Sequence, residues 1–278
     1  MRLRLWHAPD GARVAYREAG TGPPLVLLHS LGLSHRELEP AVEHLEHRFR
    51  LILPDLPLHG DSEERPRHPY TRDWFADVMA AFCREVAGPR PVVGGHGFGA
   101  ELLLLAALSE RLSPEALVLM PNRLHRPPAK PLARTGWRLG ARAAAVPGLD
   151  RVLSHAAHLA VRPDQGPKLS ARANPAARDL LRHAFADVAG NTNLARSWAR
   201  FAKAGPDGAH RELLDDYRRL QMPVLLLWAD DDKLHPVTVA EEALDLLPHA
   251  QLRVLPRTGF LIAYDDPVGV AREINAFA

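Results

Sequence analysis

At 278 residues with 46% hydrophobic content, the chain can bury a sizeable core without metals or disulfides, and Cys83, its only cysteine, leaves no intramolecular disulfide to form. The formal net charge is +2, from 31 arginines and few lysines set against 33 acidic residues. The longest apolar runs, such as residues 102–108, fall far short of a membrane span, and Met1-Arg2-Leu3-Arg4 leads into strand-like alternation and not into a signal-peptide core, so a cytoplasmic protein is expected.

Taken in chain order, short apolar runs bounded by Gly, Pro or Asp predict strands over 12–18, 25–29, 49–53, 91–94, 116–120, 224–228 and 252–255. Helical stretches separate most of them, which predicts an α/β protein with a doubly wound, mostly parallel sheet. Between 122 and 211 the strand signal disappears. Proline-punctuated helical segments take over, for example 141–146, 149–160 and 178–187. The expected division is a core formed by 1–121 and 212–278, with 122–211 inserted between two core strands.

Five motifs stand in a fixed order along this frame. Leu25-Val26-Leu27-Leu28-His29-Ser30-Leu31-Gly32 is a strand running into a His-containing loop. Leu53-Pro54-Asp55-Leu56-Pro57-Leu58-His59-Gly60-Asp61-Ser62 is a turn. Val93-Gly94-Gly95-His96-Gly97-Phe98-Gly99-Ala100 is a strand, a Gly-x-Gly-x-Gly elbow and a helix start. Val224–Pro236 is a strand followed by a loop with Asp230, Asp231 and Asp232, and Arg257-Thr258-Gly259-Phe260 closes the series. Together they resemble the α/β-hydrolase superfamily over nearly the whole chain, most weakly in the middle third. The resemblance implies that His29-Ser30-Leu31-Gly32 is the oxyanion loop, with Ser30 in place of its first glycine. It implies that Gly97 occupies the nucleophile position and Phe260 the histidine position, with Asp232 at the triad acid. It also makes 122–211 a helical lid.

The chemistry implied is that of a lapsed triad, in which a hydroxyl should attack, an imidazole take its proton and a carboxylate orient the imidazole. Gly97 has no side chain and Phe260 no base, so the acyl-enzyme route has no starting point. Asp232 is then expected either as a vestigial acid or as a loop carboxylate that caps the helix after Pro236 or binds local amides. At Gly97, glycine relieves about 1–3 kcal/mol of backbone strain that the elbow imposes on other residues. The helix beginning near Phe98 directs free amides at the cleft, and the missing serine is expected to leave room above them for a carboxylate, enolate or phosphate. His29, Ser30, Leu31, His96 and Phe98 are the candidate ligand or oxyanion contacts. His29 is otherwise a structural histidine beside the loop, and His96 is the more interesting as the neighbour of the vacated position. Gly95-x-Gly97-x-x-Ala100 also fits a dinucleotide fingerprint, but the next strand ends in Met120-Pro121-Asn122 with no acid for a ribose. The aspartate cluster lacks the spacing of a calcium loop, so neither a metal nor a cofactor is expected.

Charge divides along the same boundary, since 122–211 carries sixteen Arg and Lys against five Asp and no Glu. A basic lid on an acidic body could focus an anion into the cleft, or its arginines could be a solvated face, which the i, i+4 spacing of Arg134, Arg138 and Arg142 fits. No aromatic interleaving points to nucleic acid. Three functions stay open. They are a non-hydrolytic homologue binding a small apolar or anionic molecule, a cofactor-independent lyase, isomerase or cyclase stabilising an enolate, and a hydrolase with a relocated nucleophile or activated water. The oligomeric state is not legible.

Overall fold

A computed structural model of the chain describes residues 1–65, 67–126, 139, 142–143, 167–185, 192–204 and 213–278. Eight strands form one sheet in the order β1-β2-β4-β3-β5-β6-β7-β8. They are β1 (Arg2–His7), β2 (Arg13–Ala19), β3 (Pro24–Leu28), β4 (Arg50–Pro54), β5 (Val92–Gly95), β6 (Ala116–Leu119), β7 (Val224–Ala229) and β8 (Ala250–Leu255). Pairing is antiparallel between β1, β2 and β4 and parallel from β4 through β8.

The apolar runs of the central strands are continuous because both faces are covered. Leu25 and Leu27 join one core cluster with Leu225, Leu227 and Ile274, while the alternate residues Val26 and Leu28 join the other with Leu226, Trp228 and Phe75. Five helices matter for the site. They are α1 (Arg72–Phe82), capped by Thr71 accepting from the Trp74 amide at 3.2 Å, α2 (Phe98–Leu108), α3 (Ala176–Phe185), α4 (Thr192–Ala204) and α5 (Val237–Leu244). A helical turn at Ile262–Asp265 and a last helix, α6 (Pro267–Phe277), follow β8.

The seven expected strands are all present, shifted at their ends by one or two residues. Alternation in the first residues forms an eighth, the edge strand β1, which pairs with β2 from Arg2 opposite Glu18 to His7 opposite Arg13. The expected segment 149–160, Arg134, Arg138 and all of 141–146 except 142–143 lie outside the described residues; Arg142 is helical and exposed. The expected helix over 178–187 begins earlier, as α3. No helix among the described residues is long and apolar enough to cross a membrane.

Candidate active site

β5 is central, flanked by β3 and β6, and its register places Gly95 opposite Leu28 on one side and Leu119 on the other. The chain leaves it through His96 and turns at Gly97 into α2. Gly97 has φ 51° and ψ −120°, a left-handed conformation that side-chain-bearing residues adopt only under strain. Its amide donates to the Pro121 carbonyl at 2.9 Å, fastening the elbow to the end of β6. Gly99 is required for another reason: a Cβ there would lie 2.6 Å from the His29 carbonyl oxygen and from Leu28 Cβ, so α2 could not pack this close to β3.

The space above Gly97 is not empty. A Cβ added at Gly97 would lie 2.6 Å from Ser30 Cβ. The expectation that the missing serine leaves room above the helix amides is therefore corrected, because Ser30 has moved its own side chain into that volume. The Ser30 side chain thus stands where a side chain at 97 would have to go. Leu31 and Phe98 lie where the resemblance puts the amide donors, Leu31 at the exposed mouth and Phe98 buried as the first residue of α2. Among the described residues, the amide of neither donates to a backbone or side-chain acceptor.

Ser30 is held by a carboxylate that sequence reasoning missed. Glu37 sits at the end of a 3-10 turn at His35–Glu37 and is buried. Its Oε2 accepts from the Ser30 amide at 2.6 Å, and its Oε1 accepts from the Ser30 hydroxyl at 2.8 Å and pairs with Nδ1 of His96 at 2.7 Å. Burial pushes the Glu37 carboxyl up, but the His96 charge and the bonds from His96 and Ser30 outweigh it and hold the group below its ordinary value. With Nδ1 turned to Glu37, His96 presents Nε2 outward from that pair; this nitrogen is buried and has no hydrogen-bond partner among the described residues.

His29 is spent on the fold. Its Nδ1 donates to the Ser30 carbonyl at 2.8 Å and its Nε2 accepts from the Leu56 amide at 2.9 Å, while burial lowers its pKa. Both ring nitrogens are engaged, which leaves none for a ligand. The turn after β4 is braced in the same way: Asp55 accepts from the His35 amide at 2.7 Å and from the Asp61 amide at 2.9 Å, and pairs with His35 Nδ1 at 2.8 Å.

On the opposite side stand Asp232 and Phe260. Asp232 does not cap α5, whose N-cap, Pro236, has no side-chain bond. Instead it accepts from the Leu234 amide at 2.7 Å and pairs with Nδ1 of His235 at 2.8 Å. Burial pushes its carboxyl up, and the His235 bond and charge bring it below its usual value. Asp232 thus holds an imidazole supplied three residues along its own loop. Phe260 lies between the two carboxylate-backed rings, its centroid 4.7 Å from that of His96 and 5.8 Å from that of His235, nearly parallel to the latter. It also packs into a small apolar cluster with Leu33, Leu180, Leu181 and Leu261, which joins α3 to the core. Position 260 has therefore become a docking contact. Beside it, the Asp265 carboxylate accepts from the Ser170 hydroxyl and from the amides of Ala171 at 2.8 Å, Arg172 at 3.3 Å and Gly259 at 2.7 Å, tying the segment before α3 to the same loop.

Another buried carboxylate, Glu101 in the first turn of α2, bonds Arg72 and accepts from Arg123 Nε at 3.1 Å. Burial raises it, the two guanidinium charges lower it more, and the net is a depressed pKa. Among the described residues no group of three or more His, Cys, Asp or Glu is arranged to hold a metal ion. The fingerprint at Gly95, Gly97 and Ala100 belongs to this elbow; a Cβ at Gly95 would lie 2.6 Å from the Ala100 amide nitrogen, so these small residues serve strand-to-helix packing.

With a mostly parallel sheet, a strand-elbow-helix at its centre and loops from three later strand ends converging there, the class is that of the hydrolase-type α/β folds. Residues 23–267 match the family described as alpha/beta hydrolase fold, and the chain belongs to it. Its relatives include the Magnesium-chelatase 30 kDa subunit of Rhodobacter capsulatus, 34% identical over 87 residues, a stretch that spans only 31% of either chain. Another is the pimeloyl-[acyl-carrier protein] methyl ester esterase of Vibrio vulnificus, 25% identical over 95% of this chain and 97% of that one. Among solved structures, an alpha/beta hydrolase fold protein from Burkholderia ambifaria superposes with a TM-score of 0.81 at 22% identity, covering 98% of this chain and 96% of the other, a likeness of fold alone.

Proposed function

We propose that this member of the α/β hydrolase family performs no acyl transfer and instead binds a small apolar or anionic molecule in the cleft between the core, 1–121 and 212–278, and a helical lid, 122–211, in the cytoplasm. The observation that carries this reading is the packing at the elbow: Ser30 fills the volume of the nucleophile side chain, and its hydroxyl is committed to Glu37. Phe260, packed among Leu33, Leu180 and Leu181, supplies no base and offers an apolar wall. The unengaged amides of Leu31 and Phe98 suit the anionic end of such a ligand. The Vibrio vulnificus relative is named for an ester of an acyl chain, and an apolar body with a polar end is the part of that description carried over here.

Mass spectrometry of small molecules released from the purified protein tests the reading. A stoichiometric apolar acid or similar compound, unchanged on incubation, is expected, together with no turnover of short acyl esters. Incorporation of solvent oxygen into a product would replace this reading with that of a hydrolase using activated water. One observation favours a second reading, a cofactor-independent lyase, isomerase or cyclase: His96 is backed by Glu37 and keeps a buried Nε2, unpartnered among the described residues, beside the elbow.

A further inference from the structure

Buried polar atoms without partners are uncommon, and each needs a reason. In the neutral imidazole one nitrogen donates and the other accepts. With its Nδ1 proton toward Glu37 at 2.7 Å, His96 in its neutral form carries its lone pair on Nε2, the atom left without a partner among the described residues. A buried carboxylate behind one nitrogen and a free lone pair on the other is the arrangement by which an imidazole takes a proton. The ring contact of 4.7 Å with Phe260 puts an apolar surface beside it. We infer that the Glu37–His96 couple is the general base of this cleft and acts on a carbon-bound proton of a small, largely apolar carbonyl or carboxylate compound. His96 would be the residue that touches substrate, and Glu37 a positioning residue.

In the step, the C–H bond breaks and its electron pair passes into the carbonyl group, leaving an enolate whose oxygen faces the amides of Leu31 and Phe98. The proton rides on His96 Nε2 and returns to a carbon of the same molecule. Return to a different carbon gives an isomer. No oxidant, reductant or water is consumed. The inference rests on the reading of the cleft as a small-molecule site, and adds chemistry to it.

The probe is 5-nitrobenzisoxazole, a flat apolar carbon acid. Loss of its C3 proton forms the nitrile, breaks the N–O bond and leaves a coloured phenolate, with the proton on the base. Phe260→Ala removes the ring that packs against His96, and is expected to raise kcat/KM at least about 10-fold over wild type. Adding His96→Asn should return the rate to the wild-type level or below. Adding Glu37→Gln instead should lower kcat about 10-fold with KM little changed, and Glu37→Asp should recover part of the loss. If Phe260→Ala binds the probe, read by quenching of tryptophan fluorescence, but shows no gain, the inference is overturned and the binding reading stands. If neither Phe260→Ala nor wild type binds the probe or any co-purified acid, both fall. Should Phe260→Ala not fold, the wild-type chain and His96→Asn alone are assayed with the probe: a several-fold lower kcat/KM in His96→Asn supports the base, and equal rates overturn it.

Discussion

Gly97→Ser, the single change that restores the nucleophile, is expected to destabilise the protein and to give no enzyme. Two costs can be read from the structure. A non-glycine residue at φ 51° and ψ −120° stores about 1–3 kcal/mol of backbone strain. Its Cβ, 2.6 Å from Ser30 Cβ, forces an overpacked contact of about 1–3 kcal/mol more. Ser30→Gly alone removes a hydrogen bond to a charged, buried carboxylate, a loss of about 1.5–3 kcal/mol. In the double variant the clash is gone, so its destabilisation should fall short of the sum of the singles by about 1–3 kcal/mol, the coupling energy of residues in contact. Urea unfolding of the four proteins, followed by circular dichroism, measures it. Additivity within about 0.5 kcal/mol would refute the contact between positions 30 and 97, as would a Gly97→Ser variant as stable as wild type. On the proposed reading of Gly97 and Phe260 as substituted triad positions, ester hydrolysis needs more than those two changes: Gly97→Ser with Phe260→His should be inactive, and only addition of Ser30→Gly should yield weak ester turnover.

Three other outcomes are expected. Serine-directed covalent probes should leave Ser30 unlabelled, since its hydroxyl is buried and donates to a carboxylate whose pKa is depressed; stoichiometric labelling detected by peptide mass mapping would show that the nucleophile had moved. Asp265→Asn should loosen the segment at 170–172, with amide exchange at Ala171 and Gly259 rising before that of β5, at a cost of about 2–4 kcal/mol for a buried charged acceptor losing its bonds. Acid should unfold the protein through its buried histidines. The His59 pKa falls from 6.5 to about 3 through burial and its neighbour His29, so below pH 6.5 the unfolded chain takes a proton that the folded chain refuses. Stability is full above pH 6.5 and declines as pH falls, by up to about 1.4 kcal/mol per unit for this group until about pH 3, and His59→Gln should flatten the decline measured between pH 6 and 4.5.

The sheet was legible in the sequence because burial on both faces leaves short apolar runs punctuated by Gly, Pro and Asp, a pattern that needs no knowledge of the partners. β1 escaped as a strand because it lies at the edge with most side chains exposed, so alternation is its only mark. Gly97, Asp232 and Phe260 could be located because the elbow and the strand-end loops are defined by local spacing. Glu37 could not. It lies in a 3-10 turn without an apolar period, and its importance comes from His96, 59 residues further on. The placement of the Ser30 side chain across the gap at Gly97 was not legible for a similar reason, since it depends on how two distant loops meet. His235 carried one usable sign, three residues from Asp232 on one loop, a spacing at which a local pair can form.

The cluster around Phe260 bears on how quickly any guest comes and goes. Leu33, Leu180, Leu181 and Leu261 are all nearly inaccessible. Parting α3 from the core returns several such side chains to water, at about 1.5–3 kcal/mol for each one fully exposed. An opened form carrying that cost is scarce, well under one molecule in a hundred, and departure by this route is slowed in the same proportion. A compound trapped during synthesis in the cell would on this account outlast chromatography and dialysis. Equilibrium titrations mixed for minutes would underestimate its affinity, and exchange against a labelled competitor would be the measurement to follow over hours.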